Sequence, residues 1–489
     1  MDDVYAGLEP VELWRHFGAL NAIPRPSGQE AAAREYVEEV ARRHGAAYAR
    51  DARGNLVVSV PPSPGREGAP AVAVQGHLDM VCEKRPDVEQ EFSRDPIRPR
   101  IEGDAVYASG TTLGADNGIG CAAALALLTE PSIQHGPLEL LFTVEEETGL
   151  HGAMALDPAL VRARMLLNLD SEDPRELTVG CAGGAGAVLT LPIRRTPGPE
   201  GAISARVVVS GLKGGHSGVQ IHERLANAIK LLTGALLAAL AEGIPLELRS
   251  VQGGRAHNAI PRDAEAEVAL PAGERQRLEA VIARVLDRLR AEWGADEPNV
   301  LLSVTDSDAS GPVLAPESRD ALLRLLDALP HGVLEWSRAF PGKVETSSNL
   351  AQVSTGADTV EIGTSTRSFV NTETARVQDE IRASGEAAGA RVALRDGYPG
   401  WEPDPDSELL RVAERVYEET FGSRPEVQVI HAGLECGVIV SKLPGMEAIS
   451  FGPRITGAHT PEEHVTIPTV AQTWRLLTAL VDALSRQEA

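Results

Sequence analysis

The stretch AVAVQGHLDMVCEK, Ala71 to Lys84, decides how the chain folds. Its first five residues suit a strand buried on both faces; Gly76 then breaks the run, and His77 and Asp79 follow two positions apart. A short apolar run without polar alternation is what a parallel strand covered by helices requires. A spacing of two on locally extended chain turns both side chains to the same side. The stretch therefore predicts an α/β layer that presents polar chemistry at a strand exit.

Working outward, the same texture repeats. NLVVSV, LELLFTV and MLLNLD are further short apolar runs stopped by turn residues, and GIGCAAALALLTE between two of them reads as a helix. Two helical patterns precede the first strand, PVELWRHFGALN and GQEAAAREYVEEVARRHG, the second ended by Gly45. Alternating strands and helices imply a mostly parallel central sheet flanked by helices. Beyond about Gly186 the runs AVLTLPI, ARVVVSGL, EAEVAL and NVLLSVT surround long helices, the pattern of an α+β unit. GYPGWEPDPDSE from Gly397 reads as a linker, after which helix and strand patterns resume. The organisation expected is a catalytic domain over 1–185 and 397–489, interrupted by an inserted α+β lid domain over 186–396. That insert is long enough for two α+β subdomains.

Composition narrows the function. The chain has 489 residues, more than one ordinary core, with 43% hydrophobic and 24% charged residues. Its formal charge of −24, from 46 basic and 70 acidic residues, offers no basic stripe for phosphates, so no nucleic-acid partner is expected. The densest apolar run, LLTGALLAAL from Leu231, is broken by glycine and followed by Glu242, so no membrane partner is expected either. The start MDDVYAGLEP lacks the basic and apolar regions of a secretory signal, giving a cytoplasmic expectation. The four cysteines, Cys82, Cys121, Cys181 and Cys436, form no CxxC pair and read as reduced packing residues.

Residues of metal-ligand type recur where strands end. His77 and Asp79 close the first; Asp116 and Asn117 sit in TTLGADNGIG before a helix; Glu145, Glu146 and Glu147 end LFTVEEETG; Asp170 follows LLNL; His459 lies in FGPRITGAHTPEEH. Singly, each has a structural reading: a turn histidine, a helix cap, a solvated strand end, a turn aspartate, a loop histidine. Together they gather where open parallel sheets place their sites, at the carboxyl ends of strands. One bridging aspartate, two histidines and two further acids match what a pair of zinc-type ions needs, with one acid left to move protons.

These motifs, GHLDM, GADNG, TVEEETG, NLDSED and HTPEEH in this order, resemble the dinuclear zinc peptidases that include carnosinases, peptidase T and glutamate-releasing carboxypeptidases. IPRPSGQE, QGHLDMVCEK, TTLGADNGIG and HAGLECG are most similar to the bacterial Xaa-His dipeptidase branch of that family. The resemblance implies that His77 and Asp170 hold one zinc, that Glu147 and His459 hold the other, and that Asp116 bridges them. It implies Glu146 as general base and Asp79 as the group orienting His77. It also implies a cis peptide between Asp116 and Asn117. Manganese or cobalt would suit the same ligands.

The resemblance further implies that His216, in GLKGGHSGVQ, stabilises an oxyanion, and brings Asn258 of AHNAIPRD and Arg367 of GTSTRSF to the substrate, the arginine for a carboxylate. Glu435 of HAGLECG is either a receiver for the substrate's ammonium or a buried structural acid. Aspartate at position 170, where the family's carboxypeptidases and deacylases tend to have glutamate, leans toward substrates with a free amino end. The function implied is metal-dependent hydrolysis of dipeptides with both ends free, including Xaa-His dipeptides such as carnosine. The competing readings are a tripeptidase, an N-acyl amino acid deacylase, or a non-catalytic binding protein on the same scaffold. The length of the insert leaves a homodimer open.

Overall fold

A computed structural model describes residues 4–487, which form two compact units. The first is built from Met1–Cys181, Trp401–Val429 and Leu434–Ala489, and the second from Ala182–Gly400 with Ile430–Gly433.

The first unit is organised by an eight-stranded sheet. Its four central strands, Leu138–Thr143, Val72–His77, Met165–Asn168 and Glu447–Ser450, run parallel, while Leu56–Val60 and Glu176–Cys181 flank them antiparallel. All six residues of Val72–His77 and all six of Leu138–Thr143 are buried, because helices cover both faces of a parallel sheet. One covering helix, Ala115–Thr129, is almost entirely apolar and buries thirteen of its fifteen residues. Another, Glu408–Phe421, is amphipathic: the Ser407 hydroxyl accepts from the Leu410 N–H at its start, and Gly422 at φ 73° closes its end. Register then decides where chemistry can occur. His77 pairs with Thr143 and Gln75 with Asn168, so the chain leaves all three strands at one edge, carrying His77, the acidic triplet and Asp170 to the same place.

The second unit is organised by a nine-stranded sheet, beside two short two-stranded ones, with the helices Ala228–Ala241, Arg275–Trp293, Pro316–Ala328 and Asn371–Ala387 packed into one apolar cluster. Two α+β halves meet edge to edge where Gln252 and Gly253 pair with Ser354 and Val353. Among the described residues, no helix is long and apolar enough to cross a membrane.

Candidate metal centre

At the strand edge of the first unit, Asp116 lies between two groups of ligand-type side chains. Its Oδ1 is 3.0 Å from His77 Nε2, which is itself 3.4 Å from Asp170 Oδ1. Its Oδ2 is 3.1 Å from His459 Nε2, which is 2.9 Å from Glu147 Oε2. Donor atoms of His77, Asp116 and Asp170 lie within 4.8 Å of one another, as do those of Asp116, Glu147 and His459, and those of His77, Glu146 and Glu147. The structure thus brings together all five residues expected as ligands, with Glu146 beside them. Two backbone features serve this convergence. A Cβ at Gly76 would collide with Asn117 Oδ1, so glycine admits the Asp116–Asn117 segment against the strand. His459 stands at φ 64° and Glu145 at φ 51°, left-handed conformations that non-glycine residues adopt at a cost. The Asp116–Asn117 peptide is cis.

Asp79 does more than face His77. Its carboxylate, fully buried, lies 3.4 Å from His77 Nδ1, accepts the Ser27 hydroxyl at 2.7 Å, and accepts the N–H groups of Glu146 and Glu147 at 3.0 and 3.1 Å. Burial alone would raise its pKa, but these donors, His77 first, hold it at about 2. One anion therefore sets both the imidazole and the backbone of the acidic triplet. Nearby, Glu30 Oε1 accepts from Gly28 N–H at 2.8 Å and from Glu145 N–H at 3.0 Å. The roles of Ser27 and Glu30 were hidden in IPRPSGQE, because their partners lie far along the chain.

Glu435 has the surroundings of a buried structural acid. It is fully buried, and its Oε2 accepts from Gln75 Nε2 and Thr143 Oγ1, both at 2.6 Å, inside the sheet. Its Oε1 is buried with no hydrogen-bond partner, so one acceptor of this carboxylate is left open to a donor such as a substrate ammonium. The thiols are poor nucleophiles, since burial pushes Cys82 up to about 11 and Cys436 well above the ordinary range.

In the second unit, His216 Nδ1 accepts the N–H groups of Gly218 and Val219 at 3.1 and 3.2 Å. That leaves the proton on Nε2, and burial with the charges of Arg367 and His257 lowers the pKa. His216 is therefore a neutral N–H donor. With Asn258 and Lys213 it lines a cavity of about 740 Å³. Arg367 donates from Nη1 to Tyr398 Oη at 3.0 Å and keeps a buried Nε without a hydrogen-bond partner.

A family model described as peptidase family M20/M25/M40 matches residues 73–483. The chain belongs to this peptidase family. It is 40% identical over 474 residues to the cytosol non-specific dipeptidase of Escherichia coli, covering 97% of this chain and 98% of that one. The crystal structure of an aminoacylhistidine dipeptidase from Vibrio alginolyticus superposes with a TM-score of 0.93 at 39% identity, over 98% of this chain and 97% of the other. The aminopeptidase PepT from Bacillus cereus, at 18% identity and a TM-score of 0.56 over 98% of this chain and all of that one, shares the fold.

For an M20 peptidase, the donor set fits a metal. Glu147 Oε1 is buried with no hydrogen-bond partner, and the carboxylates of Asp116, Glu146, Glu147 and Asp170 gather in overlapping groups with His77 and His459. Without a cation such a cluster must hold protons instead. Burial raises Asp170 to about 7 and Glu146 well above the carboxylate range. Hydrogen bonds to Asp116 and Glu147 raise His459 to about 11, while the Asp170, Asp116 and Asp79 carboxylates overcome burial and keep His77 protonated well above the usual range. A metal ion held by these residues would take the place of those protons.

Proposed function

We propose that this M20 peptidase is a metal-dependent dipeptidase, acting on dipeptides with free amino and carboxyl ends, Xaa-His dipeptides among them. The observation that carries the reading is the placement of Asp116, with one oxygen toward His77 and Asp170 and the other toward Glu147 and His459. Two metal ions would be held there, one by each pair, with Asp116 shared. Nitrogen and oxygen donors suit zinc, and also manganese or cobalt. Bound metal would supply Lewis-acid polarisation and water activation near neutral pH. The chain's own residues do the rest. Glu146 takes the proton of the attacking water and returns it to the leaving amine. Asp79 fixes His77 and the backbone of Glu146. His216 Nε2–H is a donor for developing negative charge, and Arg367 is a fork for the substrate carboxylate, with Asn258 a further polar contact. The dipeptidase names of two relatives that match almost the whole chain support the substrate class, and the cytosolic name of one supports a cytoplasmic location.

Two experiments follow. Ala-His should be hydrolysed far faster than N-acetyl-Ala-His or a tetrapeptide, because a site that pairs both charged ends leaves polar groups unmatched when an end is blocked or displaced. Preference for the acetylated substrate would assign a deacylase instead, and equal turnover of longer peptides would remove the length restriction. Asp79→Asn should lower kcat by about 10- to 100-fold with metal retained. His77→Ala should lose metal. Kinetics combined with elemental analysis of both variants separates the two effects, and metal loss from Asp79→Asn equal to that from His77→Ala would make Asp79 a ligand.

A further inference from the structure

HTPEEH contributes more than His459. Glu463 is 2% exposed, and its carboxylate accepts four successive backbone N–H groups. Oε2 takes those of Leu113 and Gly114 at 2.8 and 3.0 Å, and Oε1 takes those of Ala115 and Asp116 at 2.7 and 3.2 Å. From the opposite side comes Arg25, 1% exposed, whose Nη2 donates to the Gly114 carbonyl at 2.5 Å and whose Nη1 donates to the carbonyls of Leu78 and Asp79, both at 3.0 Å. Gly114 is thus gripped at both its N–H and its C=O by opposite charges. It stands at φ 67°, and a Cβ there would collide with Arg25 Nη2.

We infer that Glu463 and Arg25 are positioning residues that clasp the Leu113–Asp116 backbone and thereby set the aim of the Asp116 carboxylate at both metal positions. The inference rests on the reading of Asp116 as the shared ligand. Four charge-assisted bonds from one anion stiffen the four residues leading to that ligand. Because Glu463 lies four residues after His459, it also ties the loop bearing His459 to the loop bearing Asp116. Arg25 ties that same loop to the strand exit bearing His77 and Asp79. The clasp therefore registers three ligand-bearing segments against one another while touching no ligand side chain.

The test is Glu463→Gln, which preserves shape but turns an N–H₂ group toward two of the four backbone donors. Apoprotein is titrated with zinc against a chromophoric chelator, and kcat and KM are measured on Ala-His at saturating zinc. The weaker zinc should bind about 10- to 100-fold less tightly, and kcat should fall by a similar factor with KM within about twofold. Wild-type zinc affinity and kcat in the folded variant would overturn the inference, even if its melting temperature fell, since a purely structural buried acid predicts that pattern. Should Glu463→Gln fail to fold, Glu463→Asp, which keeps the charge but withdraws it by one methylene, is read in the same way, and unchanged zinc affinity there overturns the clasp. Wild-type protein and Asp116→Ala run alongside: wild type binding no zinc, or Asp116→Ala binding it as wild type does, overturns the underlying reading of Asp116.

Discussion

Replacing Glu146 by Gln should lower kcat on Ala-His by about 10³- to 10⁴-fold while metal content and KM stay near wild type. The amide fills the space of the carboxyl but cannot accept a proton, so the variant removes one chemical capacity and little else. Each tenfold loss corresponds to about 1.36 kcal/mol of barrier, so the expected cost is about 4 to 5.5 kcal/mol. Two structural facts make the substitution clean. The backbone of Glu146 is fixed by its N–H to Asp79 Oδ1 at 3.0 Å, which the amide leaves alone. The expected metal ligands, His77, Asp116, Glu147, Asp170 and His459, keep their own contacts to one another. Elemental analysis together with steady-state kinetics reads the result, and full activity in this variant would remove Glu146 from the base role.

Much of the first unit was legible in the sequence because its signals are local. The strands Val72–His77 and Leu138–Thr143 announce themselves as apolar runs, while the register that aligns their ends is seen only in their pairing, because strands buried on both faces carry no alternation to set it. His77, the acidic triplet and Asp170 were legible as strand-exit residues, since a parallel sheet presents its strand ends together, whereas His459 lies between two short strands, Ile455–Thr456 and His464–Thr466, of a separate antiparallel sheet. What was not legible depends on pairs far apart in the chain. Glu463 reads as one more acid of HTPEEH until its bonds to Leu113, Gly114, Ala115 and Asp116, some 350 residues earlier, are seen. Arg25 and Ser27 look like turn residues of IPRPSGQE, yet they hold the segment around Asp79. Glu435 could not be divided between its two readings from HAGLECG alone; Gln75 and Thr143, on two different strands, decide its surroundings. In the second unit, the continuity of the sheet hangs on the pairing of Gln252 and Gly253 with Val353 and Ser354, which no local pattern encodes. The proton on His216 Nε2 likewise depends on two backbone N–H groups in its own turn, a detail of loop geometry.

Removing metal should have the second large effect. Five carboxyl and imidazole groups aimed at shared positions make no water-activating arrangement on their own, and in metal-free protein Asp170 and His459 hold protons with pKa values of about 7 and about 11. Activity should therefore fall by more than about 10³-fold on exhaustive chelation, because both carbonyl polarisation and water activation are lost together. Metal binding must displace those protons, so apparent affinity should rise with pH across the neutral range and binding should release protons to the buffer. The loss should reverse on adding metal back, since the ligand positions are set by Asp79, Glu463 and Arg25 and not by the ion alone.

The most direct test is a back-titration of chelated, metal-free protein with zinc, following Ala-His hydrolysis and bound metal together. Activity should be absent at the start and should saturate at two equivalents per chain, the stoichiometry set by Asp116 facing two ligand pairs. Full dipeptidase activity in protein verified to be metal-free, or saturation at one equivalent with the second position never filled, would contradict it.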